Sequence, residues 1–276
     1  MDILLDALID TLKLIPYLFI TFIVLEFIEH KFSKKSNEIL VKNKKYGPLF
    51  GGLLGALPQC GFSVASSNLF SSRVITIGTL IAVFLSTSDE MLPIMISEHA
   101  DILMLLKIIG FKILIGIIIG FIVDIFYKNK EENTVKELCD DENCHCDEKG
   151  ILLSSVIHTL KICIFILIAN VLINFIIFEI GEDNLSNLLL HKNIITYFIA
   201  SLIGLIPNCA GSIIITELYL SKLITLGNLL SGLLTGSGLG LLILFKVNKN
   251  IKENLMVLSI IYFVGVIIGI LVDLII

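Results

Sequence analysis

One stretch that occurs twice constrains this chain more than any other feature. Gly55-Ala56-Leu57-Pro58-Gln59-Cys60-Gly61-Phe62-Ser63 returns 149 positions later as Gly204-Leu205-Ile206-Pro207-Asn208-Cys209-Ala210-Gly211-Ser212. The same offset, without a gap, carries Thr76 and Gly78 onto Thr225 and Gly227, and Ser88 onto Ser237. It then carries Gly116, Gly120 and Asp124 onto Gly265, Gly269 and Asp273. A register held over that length marks two copies of one folding unit. Each copy places a proline, an amide, a thiol and small residues inside an apolar run. In a bilayer, non-helical backbone persists only where protein or a water-filled cavity satisfies its N–H and C=O groups, so a repeated helix breaker predicts a built site.

The bilayer itself follows from composition. With 56% hydrophobic and 16% charged residues and a mean hydropathy of +0.96, the 276 residues exclude an ordinary soluble domain. Several apolar runs reach the roughly 20 residues needed to cross a ~30 Å hydrocarbon core. Nothing alternates as the strands of a membrane barrel would. The expectation is an all-α polytopic membrane protein. No cleavable signal peptide is expected, because the first apolar run is flanked by acids and followed at once by a basic loop. Cys60, Cys163 and Cys209 fall in apolar segments and the other three cysteines share one polar linker, which is not the pattern of a disulfide framework.

Read in order, the chain divides into residues 1–127, a polar linker 128–150 and residues 151–276. An apolar run from about Thr11 to Ile28 precedes Lys31, Lys34, Lys35, Lys42, Lys44 and Lys45, and lysines in a short loop place it in the cytoplasm. Gly47 to Ser72 is apolar but broken at Pro58-Gln59-Cys60-Gly61, with arms too short to span, which predicts a re-entrant helical hairpin. Val74 to Ile96 is interrupted by Ser86-Thr87-Ser88-Asp89-Glu90 and predicts a broken helix. Leu103 to Tyr127 returns to Lys128 and Lys130. In the second half, Glu179, Glu182 and Asp183 stand where the first had lysines, and Lys246, Lys249 and Lys252 where it had Glu98 and Asp101. The swap of sign predicts inverted topology, with three full spans and one hairpin per half, both chain ends outside and the linker cytoplasmic.

Three constellations could carry chemistry. At the hairpin tips, Pro58, Gln59, Cys60 and Ser63 pair with Pro207, Asn208, Cys209 and Ser212. Free N–H groups of one arm and free C=O groups of the other converge there, and Cys60 with Cys209 would suit a thiophilic metal or metalloid. The plainer reading is that both cysteines are small residues that let arms pack. The second constellation is Ser86, Ser88, Asp89 and Glu90, matched by Ser237 and neighbouring glycines. Ionisable groups inside a span mark a pathway or a proton relay. Asp89 follows the hydroxyl run and is the favoured carboxylate; Glu217 is a weaker coupling candidate, and solvation near the end of a span is the competing account. The third is the linker, where Cys139, Cys144, His145 and Cys146 lie among acids and form a metal trap or a plain charged tether. Asp124 and Asp273 read as interfacial caps, and Gly116, Gly120, Gly265 and Gly269 as small-residue faces for helix packing. No phosphate loop, nucleophile triad or dinucleotide motif is present, so neither catalysis nor an organic cofactor is expected, and no nucleic-acid partner.

The paired proline-amide-cysteine breaks at Pro58, Cys60, Pro207 and Cys209, with the hydroxyl-rich second breaks and the Cys/His linker, give the chain a likeness to a known group. It resembles the ten-transmembrane heavy-metal exporters that are also labelled arsenic efflux proteins or manganese transporters, distant relatives of ArsP-type permeases. Counting each hairpin arm gives five segments per half and ten in all. The resemblance implies a permease of the inner membrane that moves a metal or metalloid ion. Coupling to a proton or another cation through Asp89 or Glu90 is the expected mechanism, with association into homo-oligomers left open. The rival readings are a carrier of a small organic or inorganic anion, and a channel or membrane subunit of a larger complex.

Overall fold

The computed structural model describes residues 46–56, 60–88, 91–97, 99–127, 194–207 and 209–275, with scattered positions between 15 and 23 and between 156 and 175. Most of the first apolar run of each half, the linker 128–150, Asp89 and Glu90 lie outside the described residues. Every regular element among the described residues is a helix. In the first half these are α1 (Gly47–Gly55), α2 (Cys60–Ser71), α3 (Ile77–Ser86), α4 (Met91–Ser97) and α5 (Ile102–Phe126). The second half repeats the series as α6 (Ile195–Gly204), α7 (Cys209–Leu220), α8 (Leu226–Thr235), α9 (Leu239–Val247) and α10 (Ile251–Ile275).

Length separates two kinds of helix. At 1.5 Å per residue, α5 and α10 reach about 37 Å, enough for a ~30 Å hydrocarbon core. Helices of nine to twelve residues, such as α1, α2, α3 and α9, reach roughly 14–18 Å, about half of it. Among the described residues, three stretches are long and apolar enough to cross a membrane: Ile102–Phe126, Leu226–Val247 and Ile251–Ile275. The second of these is interrupted at Gly236-Ser237-Gly238. Among the described residues, α1 ends at Gly55 and α2 starts at Cys60, and α6 ends at Gly204 and α7 starts at Cys209.

On the outer helix α1, burial runs opposite to the pattern of a soluble protein. On α1 the inward positions are Pro48, Gly51, Gly52 and Gly55, while Phe50 (62% exposed) and Leu53 (52%) face out. Lipid tails solvate leucine and phenylalanine as well as a protein core does, so the inner face is chosen for closeness of approach rather than for hydrophobicity. The inner helices are α3, buried along all ten residues, and α8, buried from Gly227 to Thr235. Helix α3 packs between α1 and α5, and α8 packs in the same way between α6 and α10. The halves interlock reciprocally, α9 against α2 and α7 against α4, and α3 touches α8.

Local chemistry builds both halves identically. Helix α2 ends in a turn in which the Arg73 N–H donates to Phe70 O (2.9 Å) and the Val74 N–H to Leu69 O (2.9 Å); Lys222 to Tyr219 and Leu223 to Leu218 repeat it at 2.9 Å each. This is a Schellman closure, with Arg73 (φ 60°) and Lys222 (φ 59°) in the left-handed position. Three residues later Thr76 and Thr225 cap the next helix with matching dihedrals, accepting from Thr79 N and Asn228 N. The far end of the long helix then secures the cap. Asp124 accepts from Thr76 Oγ1 (2.7 Å) and Gly78 N (2.8 Å); Asp273 accepts from Thr225 Oγ1 and Gly227 N (2.8 Å). Both aspartates therefore help to cap the start of a neighbouring helix. A carboxylate at a helix N-terminus also complements the positive end of the dipole.

Between those caps and the breaks, glycines set the spacing. A Cβ on Gly116 would lie 2.8 Å from Ala82 O, and one on Gly265 would lie 2.8 Å from Ser231 O. The small-residue faces expected from the sequence thus press backbone against backbone in both halves.

Candidate functional site

The site is assembled where α3 and α8 stop. Helix α3 closes with three hydroxyls turned back onto its own chain. Ser86 Oγ donates to Ala82 O (2.8 Å), Thr87 Oγ1 to Val83 O (2.8 Å) and Ser88 Oγ to Ser86 O (3.1 Å). All three residues are buried. Helix α8 closes in the same manner, Thr235 Oγ1 donating to Gly232 O (2.9 Å). Gly238 then takes φ 54° and ψ −141°, a conformation that demands glycine, and the chain restarts as α9. Ser237, inside that break, is 2% exposed.

A charged side chain ties the two breaks together. Lys112, eleven residues into α5, is wholly buried, and its Nζ donates to Thr87 O and to Leu233 O (2.7 Å). Thr87 is the C-cap of α3, and Leu233 lies in the last turn of α8. An ammonium between two helix C-termini sits where both dipoles are negative and where carbonyls lack an intrahelical donor. The sequence reading missed this residue. The signal was present, since a lysine within a span is costly and marks function, but weight went to the acids.

Helix α2 reaches the same place. Ser67 Oγ on α2 donates to Gly240 O (2.7 Å), and a Cβ on Gly240 would lie 2.7 Å from the Cβ of buried Ser63. One turn beyond Cys60, α2 thus rests on the restart of α9. Between α6 and α7, Pro207 lines a cavity of about 500 Å³ with Leu205, Leu241, Leu242, Phe245 and Lys246. Ser212 is half-buried on α7, whereas Glu217 is exposed on the same helix. Of the other expected site residues, Pro58, Gln59 and Asn208 lie outside the described residues, as do Asp89, Glu90, Cys139, Cys144, His145, Cys146 and the side chains of Cys60 and Cys209. Among the described residues, no three His, Cys, Asp or Glu side chains gather into a metal cluster.

A family model matches the chain. The model described as "Putative, 10TM heavy-metal exporter" aligns with residues 1–198 and 159–276, which together span the chain. The chain belongs to this exporter family. No curated protein and no solved structure matches it. Membership makes it a membrane protein of a heavy-metal export family, with a metal ion as the implied substrate and the bilayer as its surroundings.

Proposed function

We propose that the chain is a secondary-active transporter whose two halves sit inverted in the inner membrane, exporting a metal or metalloid ion by alternating access. Its cargo docks between the hairpin tips and the broken spans, near Cys60, Cys209, Ser63, Ser88 and Ser237. Asp89 or Glu90 exchanges cargo for a proton, with Glu217 the remaining carboxylate for that role. The linker 128–150 lies in the cytoplasm and gathers metal through Cys139, Cys144, His145 and Cys146.

The reading is carried by one observation: a buried ammonium bridges the broken helix of one half to that of the other. Helix ends and unwound carbonyls meeting at depth are how secondary transporters hold ions. Inversion has separate support. Ser67 reaches Gly240 and Ser71 Oγ reaches Val247 O (2.8 Å), so α2 and α9 run side by side in one direction. Helix α2 leads back to the turn where α3 begins. If α4 continues the course of α3, it runs away from that end while its counterpart α9 runs toward it. Opposed directions in matching arms, together with the swapped loop charges, are what inverted repeats require.

Uptake by proteoliposomes holding the purified chain, challenged with Mn²⁺, Zn²⁺, Cd²⁺ and arsenite, tests the proposal. Saturable, gradient-driven flux of one or more is expected, and Asp89→Asn is expected to abolish it. Well-folded protein that carries none would end the cargo assignment. A second reading, a carrier of small anions, is favoured by the buried positive charge of Lys112; such a carrier would tolerate Asp89→Asn. Gradient-driven flux by the isolated chain would also exclude a channel or a subunit dependent on a partner.

A further inference from the structure

We propose that Lys112 is a tethered cation. Its ammonium fills a cation position made by the carbonyls of Thr87 and Leu233, and the transported ion takes that position only when the side chain swings away. This rests on the transporter reading above and specifies how its site is kept closed between cycles.

Three observations carry the inference. First, both acceptors are backbone carbonyls at helix ends, one from each half, so the position forms only when the halves come together. Such groups are what an ion stripped of water would be offered, and a lysine nitrogen at hydrogen-bond distance replaces that ion in charge and place. Second, the ammonium is not part of the duplicated scaffold. Ile261 occupies the matching place in the second half and is equally buried, although α8 and α10 are joined by the same caps and glycine contacts as α3 and α5. Third, lysine is suited to leaving. Its charge rides on a flexible four-carbon stem and bonds as a point, whereas a guanidinium would grip both carbonyls through a planar fork. Oxygen ligands of this kind favour a hard divalent ion such as Mn²⁺ over a thiophilic one.

The test compares the native chain with Lys112→Met, Lys112→Gln and Lys112→Arg, measuring Mn²⁺ binding by equilibrium dialysis and Mn²⁺ flux in proteoliposomes. If the ammonium leaves the position free about one tenth of the time, removing it should tighten binding about tenfold. Lys112→Met and Lys112→Gln are then expected to bind Mn²⁺ more tightly than the native chain and to release it more slowly, so that flux falls. Lys112→Arg is expected to bind it more weakly. The glutamine variant retains a donor and covers failure of the methionine variant to fold; the arginine variant retains the charge and covers failure of both. A native chain that carries Mn²⁺ while all variants bind it equally, or while charged and uncharged variants weaken alike, overturns the tethered cation but leaves the transporter. A native chain that carries Cd²⁺ but not Mn²⁺ overturns the oxygen-ligand assignment. Failure of the native chain to carry any metal removes the transporter reading itself, and the tethered cation with it.

Discussion

The two buried helices α3 and α8 are built alike and end differently. Each starts at a threonine cap held by an aspartate 48 residues on, and each is pressed against a long helix by glycines at the same register. Each closes with a hydroxyl turned back onto its last turn. Past that point the copies part. The first runs into Asp89 and Glu90 and the second into Gly238 and Leu239; the lysine that binds both ends, Lys112, comes from the first half, where the second half has Ile261. Duplication supplied a scaffold, and charge was placed on one copy of it. Stability should therefore be symmetric between the halves, whereas function should not.

The largest effects should fall on the glycine contacts. Gly116→Leu and Gly265→Leu would each drive a side chain into a backbone carbonyl that a single Cβ already approaches to 2.8 Å. Overpacking by even a few methylenes costs about 1–3 kcal/mol, and here the obstacle is backbone that cannot rotate aside. Both variants are expected to lose the monodisperse peak on size-exclusion chromatography in detergent. Loss in one half only would break the symmetry of the scaffold.

Next come the capping aspartates. Asp124→Ala and Asp273→Ala each remove a carboxylate that accepts a backbone N–H and a threonine hydroxyl. Hydrogen bonds to a charged group contribute roughly 1.5–3 kcal/mol, so each variant should melt several degrees lower, by similar amounts. Tyr197 OH also donates to Asp273 (2.8 Å), and Tyr197→Phe should lose about 1 kcal/mol. Thermal unfolding followed by tryptophan-free fluorescence probes or by chromatography would read all three.

How much of this was legible in the sequence divides along the same line. The repeat, the helix breaks and the aspartate caps could be read because each is a spacing, and spacing survives duplication unchanged. Thr76, Gly78 and Asp124 recur as Thr225, Gly227 and Asp273 at one offset. Lys112 could not be found that way, because its counterpart is Ile261 and the register itself is silent about it. Its role depends on contacts with Thr87 and Leu233, the latter 121 residues distant in the chain, and only the packing of α5 against α3 and of α3 against α8 brings them together. The exposure of Glu217 has a similar origin. Its counterpart Asn68 is wholly buried, so equal sequence position did not give equal surroundings.

The smallest effect separates the two Schellman turns, and here the comparison should change sign. Arg73 and Lys222 hold the same left-handed backbone, which costs a non-glycine residue roughly 1 kcal/mol. Lys222 is exposed, so Lys222→Gly should relieve that cost and raise stability by about 0.5–1 kcal/mol. Arg73 is held from outside its own turn. Its guanidinium donates to both oxygens of Glu253 (2.9 and 3.3 Å) at the start of α10 and lies over the ring of Phe70 at 5.2 Å. Glu253 in turn accepts from Asn248 Nδ2 (3.1 Å), joining α2 of the first half to the α9–α10 turn of the second. With side chains 20% and 14% exposed, this pair is screened less than a surface pair. Arg73→Gly should therefore lower stability, because losing a two-pronged ion pair and a cation–π contact outweighs the backbone relief. Melting curves in low and high salt would decide it. Equal stabilisation by both glycine variants would mean that the ion pair adds nothing and that the halves are held together by their helix packing and by Lys112.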